Sequence, residues 1–145
     1  MNPIHVKILR SGAKLPTYGT AGAAGADLYA CVDATVTVRP GETVFIPTGS
    51  ALEVPQGCAG LVYARSGLAC KRGLAPANKV GVIDSDYRGE WLIYLYTQAS
   101  EPRVINPGDR VAQLVLLPVL TPTVVEADSL DETDRGAGGF GSTGQ

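Results

Sequence analysis

Three stretches bring together residues able to handle phosphate. Arg65-Ser66-Gly67-Leu68-Ala69 sets a guanidinium and a hydroxyl at the start of a short helical segment, where free backbone N–H groups and the helix dipole favour an anion. The same residues also read as an ordinary helix start, capped by Ser66 and stopped by Gly73, with a solvated arginine. Asn78 to Glu90 reads as a strand, a polar turn and a second strand, hence a hairpin, and its turn carries Asp84 and Asp86. Those carboxylates are either turn chemistry or, for one of them, a proton acceptor for water. The third stretch, Arg135 to Gly144, sets one arginine and one phenylalanine among glycines. It fits a frayed end, and it equally fits a segment that wraps an anion and stacks on a ring.

Several other chemistries are excluded. His5 is the only histidine, which rules out a His-based triad and multi-histidine metal sites, so a general base here must be sought among carboxylates. Cys31, Cys58 and Cys70 are odd in number and lack CxxC spacing, so they read as reduced thiols. Gly136 to Gly141 spells GxGxxG, but no strand precedes it and no helix follows, so the dinucleotide reading fails. A Walker-type phosphate loop does not occur. A net charge of −2 offers no broad basic field for nucleic acid or an anionic membrane. The apolar run from Val111 to Val125 contains two prolines and is shorter than a membrane span of about 20 residues. Met1 to Arg10 lacks the apolar core and cleavage site of a signal peptide, and the expected compartment is cytoplasmic.

The elements that must position these groups are short strands. In 145 residues, Gly 18 and Pro 10 are spread between apolar runs, which predicts one all-β domain built from many strands and turns. Strands are expected at 4–9, 26–32, 35–38, 43–47, 51–54, 60–64, 80–83, 91–97, 110–117 and 123–126, in a sandwich, jelly roll or barrel. In the segment from Trp91 to Tyr96 both alternating faces are apolar, so burial of both, and with it a subunit interface, is expected. After Glu126 the composition turns acidic and then glycine-rich. The expected division is a β body over 1–126 and a flexible C-terminal arm over 127–145.

Two further segments complete a set: Ala24-Gly25-Ala26-Asp27-Leu28-Tyr29-Ala30 and Gly108-Asp109-Arg110-Val111-Ala112-Gln113-Leu114. Together and in order, the five segments resemble the trimeric dUTP pyrophosphatase family, whose motifs run AGxDLxA, RSGLA, GVIDxDYRG, GDRxAQL and an RGxGGFGSTG-like tail. The resemblance spans about residue 20 to the C-terminus.

That resemblance implies a β jelly roll assembled as a homotrimer with shared active sites. It also implies Mg2+-dependent hydrolysis of dUTP to dUMP and pyrophosphate, which keeps uracil out of DNA and supplies dUMP for dTMP synthesis. Asp84 is then the base for the attacking water. Arg65, Ser66, Gly67 and Gln113 hold phosphates, and Asp27 acts on the hydrated metal through water. Asn78, Gly81 and Ile83 belong to the uracil reader, and the Tyr87 ring lies under the deoxyribose. In the tail, Phe140 stacks on uracil while Arg135, Gly141 and Ser142 close over the phosphates. A dCTP deaminase relative shares the fold, but the complete tail and the hairpin argue against it. A nucleotide-sensing protein without turnover is disfavoured by the intact Asp84, Arg65 and Phe140.

Overall fold

The computed structural model of the chain describes residues 3–142. Among them are twelve strands and one helix, in the order β1 (Val6–Ile8), β2 (Thr17–Tyr18), β3 (Ala26–Tyr29), β4 (Val36–Val38), β5 (Thr43–Pro47), β6 (Ser50–Leu52), β7 (Cys58–Tyr63), α1 (Ser66–Arg72), β8 (Leu74–Pro76), β9 (Gly81–Ile83), β10 (Leu92–Thr97), β11 (Arg103–Ile105) and β12 (Arg110–Pro118). The largest sheet runs β2-β3-β12-β7-β9, a second runs β5-β10-β8, and β1-β6 and β11-β4 form two-stranded ribbons. Every pairing is antiparallel. This is an all-β jelly roll, the one among the architectures left open by the strand pattern that the resemblance implies.

The core follows from alternation. On β10, Ile93 and Leu95 are buried, as is Trp91 just before the strand, and they pack with Leu28, Ile46 and Val111 from other strands. The opposite face departs from the expectation of double burial. Leu92 is 50% exposed and Phe45 of the neighbouring strand is 62% exposed, with the Phe45 ring stacked on Tyr94 at a centroid distance of 4.3 Å. Among the described residues of one chain nothing covers this aromatic face, because β5-β10-β8 has the core on one side only.

Three expectations are corrected. No strand forms at Thr123–Glu126. Its β-branched residues suit a strand, but no sheet edge of the same chain lies beside it, and a strand needs a partner. The segments at 80–83 and 91–97 do not form a hairpin. β9 pairs with β7 while β10 pairs with β5 and β8, so the acidic turn between them crosses from one sheet to the other. Ser66 does not cap the helix. Arg65 holds the cap position with extended backbone (φ −84, ψ 128), and its carbonyl accepts from Leu68 and Ala69 N–H. Gly73 ends the helix in left-handed geometry (φ 67), as expected.

The short strands β2, β8 and β11 are not anticipated by the sequence pattern. They have two or three residues each, and β8 ends in proline.

Candidate active site

The sheet register assembles one cluster at the Arg65 end of β7. β12 lies between β3 and β7, so Gln113 stands opposite both Asp27 and Tyr63. Arg65 follows two residues after Tyr63, and its Nε donates to Asp27 Oδ1 at 2.6 Å. Arg110 donates from its other side to Asp27 Oδ2 at 3.2 Å. Three positions separate Arg110 from Gln113, so an unbroken strand would point them to opposite faces. A bulge between Arg110 and Ala112 adds one residue and turns Arg110 to the face of Asp27. The Gln113 amide donates to the Ala64 carbonyl at 3.0 Å, fixing the backbone that delivers Arg65.

The result is a buried carboxylate clamped by two guanidiniums beside the helix start. The Asp27 side chain is 12% exposed and that of Arg65 24%. A cleft of about 230 Å³ opens there, lined by Arg65, Gly67, Leu68, Arg72, Asp109 and Arg110. The first-turn N–H groups of Ser66 and Gly67 have no intrahelical acceptor, and the space over Gly67 is open. The combination suits a polyanion. The sequence reading assigned Arg110 no role, although it lies directly after a Gly-Asp turn within the GDRxAQL segment.

A second cleft, about 210 Å³, lies at the far end of β9 and is lined by Val82, Ile83, Asp84, Tyr87, Glu90, Trp91 and Leu92. A turn closed by the Tyr87 N–H donating to the Asp84 carbonyl at 3.2 Å puts the carboxylate and the aromatic ring in one cavity. The hydroxyl end of the ring lies over Gly89, where a Cβ would stand 2.4 Å from the Tyr87 hydroxyl, so a side chain there would push the ring from this position. That hydroxyl donates to the Glu90 carbonyl at 3.1 Å. Arg88 steadies the same turn, donating to the Ser85 carbonyl at 2.7 Å and the Tyr87 carbonyl at 3.0 Å, and its other nitrogen donates to Glu53 at 3.4 Å. His5 Nδ1 meets the second Glu53 oxygen at 2.9 Å. His5 and Glu53 carried no motif signal, since they come together only through the fold.

Asn78 lies in the turn that leads into β9. A Cβ on Gly81 would come within 3.2 Å of Val62 and 3.3 Å of Asn78 Nδ2, so the bare glycine keeps this turn tight against β7. Ile83 pairs with Gly60, and Gly81 with Val62.

The two clefts do not meet within one chain. Because β7 and β9 are antiparallel, Asp84 lies beyond the Gly60 end of β7 and Arg65 beyond its Tyr63 end, roughly 15 Å or more apart along the strand. The tail also stands apart. Phe140 is fully exposed with φ 51, and among the described residues Arg135 Nε donates to Gly138 of its own loop at 2.8 Å. Gly141 and Ser142 sit in the same exposed turn, where the Ser142 N–H donates to the Gly139 carbonyl. Thr143 and Gly144, which close the tail motif, lie outside the described residues.

Metal-binding capacity follows from the donors present. Among the described residues, no three His, Cys, Asp or Glu side chains converge as a metal cage, and both Asp27 oxygens are engaged by arginines. Such a donor set fits a cation held mainly by substrate phosphates and water rather than by the protein.

A family model for dUTPase matches residues 11–144. The chain belongs to the dUTPase family. It is 57% identical over 149 residues to the deoxyuridine 5'-triphosphate nucleotidohydrolase of Desulfitobacterium hafniense (strain DSM 10664 / DCB-2), covering 99% of each chain. With the enzyme of that name from Syntrophotalea carbinolica it shares 50% identity, covering 97% of this chain and 96% of the relative. Among solved structures, a mutant dUTPase of Staphylococcus bacteriophage 80alpha with dUpNHpp superposes with a TM-score of 0.88 at 28% identity, covering 100% of both chains. A mutant dUTPase from phage phi11 of S. aureus, described for its coordination of a structural Mg(II) ion, superposes with a TM-score of 0.80 at 28% identity, covering 88% of this chain and 98% of the other. The chain is therefore an enzyme of the dUTPase family. Among its described residues, no helix is long and apolar enough to cross a membrane.

Proposed function

We propose that this enzyme hydrolyses dUTP to dUMP and pyrophosphate. Water attacks the α-phosphorus, its proton passes to the Asp84 carboxylate, and the bond from the α-phosphorus to the bridging oxygen breaks to release pyrophosphate. The observation that carries the reading, in a chain of this family, is the shared cleft of Asp84 and Tyr87: a proton acceptor beside a flat ring. That ring suits the face of a deoxyribose and would clash with a 2'-hydroxyl. In-line displacement at phosphorus asks the protein for positioning and charge neutralisation more than for covalent chemistry. Arg65, Ser66, Gly67 and Gln113 supply this at the other cleft.

Uracil is read by the Asn78–Ile83 segment, where backbone groups at Gly81 and Ile83 and the Asn78 amide match its edge. Cytosine presents the reversed donor and acceptor pattern and would leave buried groups unpaired. When bound, Mg2+ supplies charge neutralisation across the phosphates. Asp27, clamped between Arg65 and Arg110, is placed to orient the ion's waters rather than to ligate it.

The separation of the two clefts supports a homotrimer in which subunits share each site. The uncovered Phe45, Leu92 and Tyr94 face offers a contact for another copy, and Leu120, Val124 and Val125 are exposed on the segment leading to the arm. From Pro118 to Arg135 the extended chain spans about 55 Å, enough to reach a neighbour. In this reading residues 127–145 form the arm, with Phe140 on the base and Arg135, Gly141 and Ser142 over the phosphates. The product dUMP would serve dTMP synthesis, and removal of dUTP would limit uracil in DNA.

The test is pyrophosphate release from dUTP, dCTP, dTTP and UTP in parallel, with Mg2+ present. Turnover of dUTP far above the other three is expected. Comparable release from dCTP or UTP would overturn the assignment.

A further inference from the structure

The turn that carries Asn78 contains a strained residue. Lys79 has φ 65, the left-handed region, which a residue with a Cβ disfavours. Sites that hold such a conformation need surrounding structure to enforce it. Here the enforcement is visible. The Lys79 ammonium donates to the Tyr96 hydroxyl at 2.8 Å and lies 4.7 Å from the centroid of the same ring.

Tyr96 is itself fixed. It lies on β10 opposite Thr43 of β5 and Ala75 of β8, and its oxygen also accepts from Gln98 Nε2 at 2.6 Å. The Lys79 hydrogen bond, with a smaller part from Gln98, draws the phenol below its usual pKa of 10.0, as expected for an oxygen that serves two donors. A side chain on the β5-β10-β8 sheet thus tethers a turn that leads into the other sheet. Inside the turn, Lys79 N–H donates to the Pro76 carbonyl at 3.1 Å and Val80 N–H to the Asn78 carbonyl at 2.7 Å. Turning Lys79 back to negative φ would swing the peptide between Lys79 and Val80. The Asn78 amide and the backbone entering Gly81 would move with it.

We propose that Lys79 is a positioning residue for base recognition, holding the Asn78–Gly81 turn in its reading geometry through the Tyr96 hydroxyl. The inference rests on the dUTP reading above and adds a specificity determinant outside the groups that touch substrate. It requires that backbone conformation, and not only the charge of Lys79, decides the effect.

Steady-state kinetics on Tyr96→Phe, Lys79→Ala and Lys79→Gly tests this, with particle mass measured by light scattering to verify unchanged assembly. Tyr96→Phe keeps the ring and removes the acceptor. It should raise KM for dUTP about tenfold with kcat within twofold, and it should narrow the dUTP over dCTP ratio in kcat/KM. Lys79→Ala loses the tether and still resists positive φ, so it should exceed Lys79→Gly, which accepts that φ freely, by about fivefold in KM. If Lys79 acted through its charge on the substrate, the two Lys79 variants would match and Tyr96→Phe would be silent, and either result overturns the inference. Equal losses of kcat and kcat/KM would do the same. Absence of dUTP turnover in the unaltered enzyme would instead overturn the functional reading, and this inference with it.

Discussion

Arg65 and Arg135 are the same residue type with the same proposed partner, a phosphate, yet the chain treats them differently. Arg65 is delivered by β7, locked on Asp27, and backed by Gln113 through the Ala64 carbonyl. Among the described residues Arg135 bonds within its own loop, and Phe140 of that loop is fully exposed. The first group is organised before any ligand arrives, so its side-chain entropy is already lost on folding. The second must be ordered by the ligand itself, which sets part of its interaction energy against ordering. In the proposed reading the body thus offers a fixed seat and the arm a closure that depends on occupancy.

The largest expected effect isolates what the body alone does. Asp84→Asn keeps the shape of the cleft and removes the proton acceptor, so kcat should fall about 10²- to 10⁴-fold, the usual range for a general base. Binding of a non-hydrolysable dUTP analogue, measured by calorimetry, should persist. Near-normal turnover would remove Asp84 from the role and leave the body without a base.

Next comes the arm. Ending the chain after Asp134 removes Arg135 and Phe140 and should lower kcat/KM about 10²-fold, the low end of the loss seen when one donor to a developing anion is removed, because part of the arm's interaction is already set against ordering it. Thermal stability should hold, since among the described residues the deleted segment's hydrogen bonds run within itself or to Thr133 just before it, and none reaches the β body. A drop in Tm of several degrees would show that the arm is part of the folded body and erase the contrast.

Asp27→Asn should give the reverse signature. It leaves Arg65 and Arg110 facing one another without their shared carboxylate, which for this half-screened cluster should cost about 2 kcal/mol of stability. Denaturant melts would read this as a lower midpoint, and KM for dUTP would rise as Arg65 loses its fixed position. An activity loss with unchanged stability would mean that Asp27 acts on the substrate complex and not on the seat.

The same contrast explains what the sequence made legible. β5 falls at Thr43–Pro47 as expected, and β12 within one residue, because β-branched and apolar runs bounded by turn residues are written locally. The strand expected at Thr123–Glu126 failed because propensity is local and a pairing edge is not. The motif residues marked both clefts. What holds them there, the bulge that turns Arg110 and the Arg88 link to Glu53 and through it to His5, depends on register and on chain segments distant in sequence. Nothing in their spacing announces it.

The smallest effect concerns that last network, the nearest thing in the body to the arm's loose order. The Glu53 carboxyl is held below its usual value of 4.5, chiefly by its hydrogen bond to His5 and then by the charge of Arg88. A depressed carboxylate pKa contributes above the unfolded value and loses that contribution as pH falls through the folded one. The grip of Glu53 on Arg88, and through it on the Asp84–Tyr87 turn, should therefore be complete at neutral pH and fade only below about pH 4.5. Glu53→Gln should lower kcat about twofold at neutral pH, an effect kept small by the exposure of the pair. On acidification the ratio of variant to unaltered enzyme should rise toward one, because protonated Glu53 has by then released Arg88 in both. A ratio that stays flat across that window would mean that Arg88 holds the turn unaided, through its links to the Ser85 and Tyr87 carbonyls. The turn would then stand with Arg65 as a fixed part of the body and not partway toward the arm.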